Sequence, residues 1–223
     1  MAANLRISGR GAESRTVASR RENTYVLEDA PAQPRSLDWV DIQAWRREMR
    51  LALIGHRLSL DGALRRALGD RAKERLRQGQ PLRGYRTLGI YWPVRGEIDV
   101  RDLGIEHLEG GGRVGLPVVV QKSAPVEFWS WGPGTRMRRG VWNIPIPEER
   151  DVLTPDVLIV PLVGFDPQRY RLGYGGGYYD RTIAAAARRP FCIGLGYAAA
   201  RLTSIFPQSH DMPMDVIVTD GEN

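Results

Sequence analysis

One long apolar run constrains the fold more than any other feature of the sequence. Residues 156–165 are DVLIVPLVGF, in which branched aliphatic side chains follow one another without the polar alternation of a half-exposed strand. Such a run is typical of a strand buried on both faces of a parallel sheet. Parallel strands are joined by long crossovers, which are usually helices. The run therefore predicts an α/β fold.

The rest of the chain supports this prediction because helical and strand patterns alternate along it. Helices are predicted over residues 37–58, 59–78 with Ser59 as N-cap, 99–112 and 179–189. Strands are predicted in RTLGIYWP, RVGLPVVV, PVEFWSW, FCIGLGY and DVIVTD. We expect a Rossmann-like, three-layer α/β/α fold with an open and mostly parallel sheet, formed by a single domain over residues 37–223.

The first 36 residues differ from the rest because they show no sustained apolar period and are rich in Arg, Ser, Ala and Pro. We expect a disordered basic tail there. The tail lacks the apolar region of a secretory signal, and its acidic residues argue against a mitochondrial transit peptide. No stretch of the chain approaches the run of about 18 apolar residues that a membrane helix requires. We therefore expect a cytoplasmic protein.

The charge balance indicates an anionic partner. Lysine and arginine number 32 against 26 acidic residues, a formal net charge of +6. Nucleic acid, anionic lipid and a polyanionic small molecule all fit this charge, which alone does not choose among them. The sequence has three histidines and a single cysteine, Cys192. One cysteine cannot form an internal disulfide, and so few ligands argue against a zinc site.

A glycine- and tyrosine-rich loop, RLGYGGGYYDR at residues 171–181, follows the apolar strand and precedes a predicted helix. Open α/β sheets bind ligands at the carboxyl ends of their strands, and a helix N-terminus preceded by glycines attracts anions. The spacing matches neither a P-loop nor a dinucleotide fingerprint, and a purely structural turn is an alternative. Asp180 beside a phosphate site suggests Mg²⁺, although it could instead cap the helix or pair with Arg181.

The longer stretch PLVGFDPQRYRLGYGGGYYDR resembles the signature of the 5-formyltetrahydrofolate cyclo-ligase family, also called methenyltetrahydrofolate synthetases. The similarity runs from about Trp45 to Asp220 through WRREMR, YWPVRGEID, VWNIPIP and HDMPMDVIVTD. The resemblance implies a ligase of one-carbon metabolism that converts 5-formyltetrahydrofolate and ATP to 5,10-methenyltetrahydrofolate, ADP and phosphate with Mg²⁺. We also expect a monomer whose partners are ATP and the folate, including polyglutamylated forms, rather than membrane or nucleic acid.

The same resemblance assigns site residues. It places ATP at Arg46, Arg47, Arg50, Arg171, Leu172, Gly173, Tyr174, Gly175, Gly176, Gly177, Tyr178 and Tyr179. It places the folate at Trp92, Glu97, Tyr174, Gly175, Gly176, Gly177 and Tyr178, and Tyr91, Trp142 and Tyr179 are further candidates to enclose the pterin ring, with plain core packing as the alternative for each aromatic side chain. Arg50, Arg171 and Tyr178 are the expected catalytic residues, and Asp180 and Asp211 are the expected magnesium ligands. Because Arg46 and Arg50 are four residues apart on one helix face, they are expected to clamp the triphosphate together.

Three departures from the family pattern leave rival functions open. Arg46 stands where lysine is usual, Arg169 stands where glycine is usual, and a glutamine often found after the penultimate strand is missing from GYAAARLTSIFP. One rival is an RNA-associated protein that kept the fold and lost the reaction. Another is an ATP-using enzyme that acts on a different N-formyl or amide substrate.

Overall fold

The computed structural model describes residues 31–80 and 82–221. The helices are α1 (Trp39–Ser59), α2 (Gly62–Gly79), α3 (Arg101–Glu109) and α4 (Tyr178–Ala185). The strands are β1 (Thr87–Gly89), β2 (Arg113–Val118), β3 (Glu127–Ser130), β4 (Met137–Arg139), β5 (Pro145–Pro147), β6 (Val152–Leu153), β7 (Val157–Pro161), β8 (Gly164–Phe165), β9 (Arg171–Leu172), β10 (Phe191–Leu195) and β11 (Val216–Val218). Most of the expected tail, residues 1–30, lies outside the described part, and residues 31–38 form no helix or strand.

A seven-stranded sheet has the order β11-β10-β7-β1-β2-β3-β6. Pairing is parallel from β11 through to β2 and antiparallel where β3 joins β2 and β6. The predicted open, mostly parallel sheet is confirmed. Numbered along the chain, its parallel strands follow the doubly wound order 2-1-3-4-5.

Strand β7 shows why the apolar run has no polar alternation. Its side chains point in turn to two separate hydrophobic clusters, one on each face of the sheet. Val157 and Ile159 join the cluster covered by α2 and α3, whereas Leu158 and Val160 join the cluster covered by α1 and α4. Each fully buried aliphatic side chain contributes about 1.5–3 kcal/mol. The predicted three-layer α/β/α architecture is therefore confirmed.

The start of the second helix differs from the prediction. Its N-cap is Asp61, whose carboxylate accepts hydrogen bonds from the backbone N–H groups of Ala63 and Leu64 at 2.8 and 3.2 Å. Ser59 is instead the last residue of α1 and donates its hydroxyl to the carbonyl of His56. The prediction of Ser59 as N-cap was wrong because the chain stays extended at Leu60, which leaves Asp61 next to the first free amides.

The strand order also locates a crevice. The connection that leaves β1 runs through α3 on one face of the sheet, and the connection that leaves its neighbour β7 runs through α4 on the other. Ligands of doubly wound folds bind where such connections diverge, at the carboxyl ends of the strands. Residues 90–97 follow β1, and the glycine-rich loop follows β7 after the intervening pair of β8 and β9. Within the described residues, no helix has both the length and the apolar character needed to cross a membrane.

Candidate active site

An open cleft of about 1400 Å³ lies at the carboxyl ends of the central strands. Cavities for one small ligand commonly measure about 300–1,000 Å³, so this cleft has room for two. The structure brings every residue predicted for the site to its walls: Arg46, Arg47, Arg50, Tyr91, Trp92, Glu97, Trp142, Arg171, Leu172, Gly173, Tyr174, Gly175, Gly176, Gly177, Tyr178, Tyr179, Asp180 and Asp211.

The glycine-rich loop joins β9 to α4 with backbone angles that favour glycine. Gly175 has a φ of 91°, and Gly177, the N-cap of α4, has a φ of 63°. No side chain of the described residues caps this helix start, and the first N–H groups of a helix have no partner within the helix. The arrangement can therefore offer several backbone donors to an anion.

Arg50 lies directly beside the loop. Its Nε donates to the carbonyl of Gly173 at 2.6 Å, and a Cβ atom added to Gly175 would lie 3.3 Å from its Cζ. Burial, followed by the nearby positive charge of Arg46, lowers the pKa of Arg50. An arginine remains protonated despite such a shift, so the loop holds a fixed cation next to its amides.

The two predicted metal carboxylates meet in the same part of the cleft. Asp180 accepts from Arg171 Nη2 at 2.9 Å and from the backbone N–H of Met212, the neighbour of Asp211, at 3.2 Å. Its partner is thus Arg171, not the neighbouring Arg181, and Gly177 rather than Asp180 caps the helix. Both alternatives raised for Asp180 by the sequence are absent from the fold.

Asp211 is held as firmly as Asp180. It accepts from Arg46 Nη2 and from the backbone N–H of Gln208, both at 2.6 Å. Burial works to raise the pKa of Asp211, but the hydrogen bonds from Arg46 and Gln208 outweigh it and leave the pKa lowered. Among residues 31–80 and 82–221, no group of three or more His, Cys, Asp or Glu residues could hold a metal. Two carboxylates with spare lone pairs nevertheless fit Mg²⁺ that arrives with a phosphate ligand.

Glu97 faces the loop from the other wall of the cleft. Its Oε2 accepts from the backbone N–H of Val94 at 2.8 Å, and its Oε1 accepts from the hydroxyl of Tyr174 at 2.8 Å. Burial raises the pKa of Glu97 above its ordinary value. The hydroxyl of Tyr179 is buried with no partner among the described residues, and burial followed by the charge of Glu97 raises its pKa.

The predicted aromatic residues are not equivalent. Tyr91 is only 3% exposed and donates its hydroxyl to the carbonyl of Ile98, so it is a fixed part of the wall. Trp92 is half-buried with the guanidinium of Arg101 4.8 Å from its ring centroid. Trp142 is 64% exposed and meets the ring of Tyr178 edge-on, at 5.5 Å between centroids. Of the three, Trp142 leaves the largest aromatic surface free.

Comparison with known proteins decides the family. The model of the 5-formyltetrahydrofolate cyclo-ligase family matches residues 42–220, which is most of the chain and includes every predicted site residue described above. The chain belongs to this family. The resemblance noted in the sequence is thus confirmed, and with it the enzyme class.

Individual cyclo-ligases are similar along most of the chain. The 5-formyltetrahydrofolate cyclo-ligase of Escherichia coli is 32% identical over 163 residues, 70% of this chain and 89% of that protein. The one of Mycolicibacterium smegmatis is 31% identical over 180 residues, 77% of this chain and 92% of that protein. The solved structure of the Aquifex aeolicus 5,10-methenyltetrahydrofolate synthetase has a TM-score of 0.69 and 26% identity, and the match covers 79% of this chain and 90% of that one.

The departure from the cyclo-ligase pattern at Arg46 has a structural account. Arg46 is only 5% exposed, and besides Asp211 it binds the carbonyls of Ile205 and Phe206, each at 2.9 Å. The planar guanidinium of arginine reaches these separated acceptors at once, which the single ammonium of a lysine could not do. Arg46 shares a helix face with Arg50 as expected. Each of its three guanidinium nitrogens already donates within the protein, however, so the two do not form a free pair of clamps.

The departure at Arg169 falls on a strained position. Arg169 has a φ of 68°, in the left-handed region that glycine adopts at little cost. Its carbonyl accepts from Met214 N, and its Nη1 donates to the carbonyl of Asp215 at 2.7 Å. These bonds to the segment before β11 hold the arginine in place. The glycine usual in cyclo-ligases suits the backbone here, whereas the arginine adds a tether.

Two residues that contact the glycine-rich loop escaped the prediction from sequence. Arg181 donates to the carbonyl of Gly176 at 2.5 Å, and its Nε is buried with no partner within the described part of the chain. Arg57 is only 5% exposed and donates to the hydroxyl of Tyr174 at 2.7 Å. The helical period carried a signal for Arg57, because it lies four residues after the buried Leu53 and eight after Met49. A charge on that buried face needs a polar partner.

Proposed function

We propose that the protein converts 5-formyltetrahydrofolate and ATP to 5,10-methenyltetrahydrofolate, ADP and phosphate with Mg²⁺. The names of its relatives support the overall conversion. The observation that carries the proposal for this chain is that the glycine-rich loop and Glu97 share one cleft, with 2.8 Å between the hydroxyl of Tyr174 and Glu97 Oε1. A nucleotide on the loop would therefore lie next to a folate on Glu97.

The reaction needs the two substrates side by side because the formyl oxygen is a poor leaving group. The formyl oxygen attacks the γ-phosphorus of ATP, and ADP leaves with the electron pair of the broken P–O bond. N10 of the folate then attacks the formyl carbon and loses its proton. The C–O bond breaks, and its electrons leave with the phosphate. Such chemistry depends on positioning and charge more than on covalent participation by the protein.

The triphosphate end of ATP would be held by the glycine-rich loop. The amides at the start of α4 and the guanidinium of Arg50 supply donors to the phosphate oxygens. Asp180 and Asp211 would hold Mg²⁺, which when bound neutralises the charge of the phosphates. Arg171 and Arg46 orient these two carboxylates through ion pairs of 2.9 and 2.6 Å.

The folate would occupy the half of the cleft lined by Glu97. A carboxylate with free lone pairs can accept hydrogen bonds from the aminopyrimidine edge of the pterin, while Trp142 and Tyr178 enclose its flat ring. Arg138 and Arg139 line the same cleft and suit the carboxylates of a glutamate or polyglutamate tail. Enclosure of the ring also keeps water from the activated formyl group.

The test is a direct assay with purified protein, Mg²⁺, ATP and 5-formyltetrahydrofolate. We expect the near-ultraviolet absorbance of the methenyl product, with one ADP formed per product. Retained ATP binding without product would overturn the proposal and favour another N-formyl or amide substrate. Salt-sensitive RNA binding without ATP binding would overturn it in favour of an RNA-associated protein.

A further inference from the structure

Arg57, near the end of α1, is a buried cation that the reaction scheme does not use. Buried charges are costly unless hydrogen-bonded, and Arg57 meets this requirement with three different acceptors. Its Nε donates to the carbonyl of Arg95 at 2.9 Å and its Nη1 to the carbonyl of Leu162 at 3.3 Å. Its Nη2 donates to the hydroxyl of Tyr174 at 2.7 Å. Arg57 thus joins the segments after β1 and β7 to the glycine-rich loop.

The bond to Tyr174 has a fixed direction. A guanidinium can only donate, so the Tyr174 oxygen accepts from Arg57, and its single proton is left for Glu97 Oε1, 2.8 Å away. Burial, followed by the charge of Glu97, raises the pKa of Tyr174, which keeps the phenol protonated. The result is a directed chain from Arg57 through Tyr174 to Glu97.

This chain determines how Glu97 presents its carboxylate. One oxygen is fixed by the backbone N–H of Val94 and the other by Tyr174, and the remaining lone pairs are available on the cleft side. We propose that Arg57 is a positioning residue of the folate site, which orients Glu97 by holding Tyr174 as its hydrogen-bond donor. The inference rests on the proposed function, because it takes Glu97 to be the acid that binds the pterin edge.

The test measures KM for 5-formyltetrahydrofolate, KM for ATP and kcat in Arg57→Met, Arg57→Lys, Tyr174→Phe and the double variant Arg57→Met/Tyr174→Phe. We expect the folate KM to rise about tenfold in Arg57→Met and in Tyr174→Phe, and clearly more than the ATP KM. Because both changes break one chain, the double variant is expected to match the worse single variant. Arg57→Lys, which keeps a donor, is expected to recover part of the loss.

Lys73→Met is the matched control for the loss of a buried cation. Lys73 is 9% exposed and pairs with Asp102 between α2 and α3, outside the cleft. We expect this variant to lose stability with an unchanged folate KM. Tyr174→Phe, at a side chain 41% exposed, keeps the test possible if Arg57→Met fails to fold.

The outcomes separate this inference from the proposed function. Binding of 5-formyltetrahydrofolate is measured by tryptophan fluorescence. A wild-type protein that neither binds the folate nor turns it over would overturn both the positioning role and the proposed function. If the wild type binds the folate without turnover, the variants are compared by their dissociation constants for the folate and for ATP instead of by KM. An active wild type whose folate constants are unchanged in Arg57→Met and Tyr174→Phe, or whose single effects add in the double variant, would overturn the positioning role alone.

Discussion

Arg46 Nη2 lies 2.6 Å from Oδ2 of Asp211, and the two side chains are only 6% and 11% exposed. The ion pair ties α1 to the segment that precedes β11, 165 residues later in the chain. A residue predicted to bind the nucleotide is therefore the partner of a residue predicted to bind the metal. The stability of the fold and the geometry of the proposed metal site depend on the same contact.

Replacing Arg46 tests that dependence. We expect Arg46→Met to lower the free energy of unfolding by about 3–5 kcal/mol, because it strands the charge of Asp211 in a nearly buried position. Denaturant unfolding measures the loss. Adding Asp211→Asn should recover part of it, since the stranded charge is then gone. A double variant no more stable than Arg46→Met would contradict this account of the pair.

Asp180→Asn should lower turnover sharply while the protein stays folded. The neutral amide can no longer balance Arg171 or serve as an anionic metal ligand, so we expect kcat to fall by about a hundredfold or more. Circular dichroism and steady-state kinetics give the two readouts. Asp215→Asn is the matched control, because Asp215 pairs with Arg189 outside the cleft. A normal rate in Asp180→Asn would remove Asp180 from the proposed metal site.

Gly175→Ala should weaken ATP binding. The backbone φ of 91° is strained for alanine by about 1–3 kcal/mol, and the new Cβ atom would crowd Arg50 at 3.3 Å. We expect the KM for ATP to rise along with a loss of stability. Gly111→Ala shares the strain, with a φ of 84°, but its Cβ would have no atom of the described residues within 4 Å, and it lies outside the cleft. Equal ATP constants in the two variants would argue against a nucleotide at this loop.

The ionisation of Glu97 should make the free energy of unfolding depend on pH. Its pKa is raised in the folded state, mainly by burial, so folding favours the protonated form. The resulting stabilisation of the folded state is complete at pH values below 4.5, the ordinary pKa of this group, and is lost as pH rises through the higher pKa of the folded state. We expect wild-type stability relative to Glu97→Gln to fall over that window by at most about 1.4 kcal/mol per pH unit. Thermal unfolding of both proteins across the window checks this, and a constant difference would contradict it.

Much of the architecture could be predicted because local patterns carry it. The uninterrupted apolar run of β7 indicated burial on both faces, and the structure places its alternate side chains in two separate clusters. The motif-based site residues come to one cleft from separate parts of the fold: α1, the segment after β1, the stretch from β9 into α4, and the segments that hold Trp142 and Asp211. The prediction failed at the start of α2, where two nearby side chains can each act as the N-cap: Asp61, not Ser59, caps the helix.

The sequence by itself determined the α/β class, the family and the position of the loop rich in glycine and tyrosine, because periodicity and motif spacing are properties of the chain alone. Only the tertiary structure decided which charge meets which. Arg46 and Asp211 are 165 residues apart, and Arg57 and Tyr174 are 117 apart. No local pattern specifies such a pair. The need to satisfy buried guanidinium groups selects their acceptors after the sheet and helices have packed.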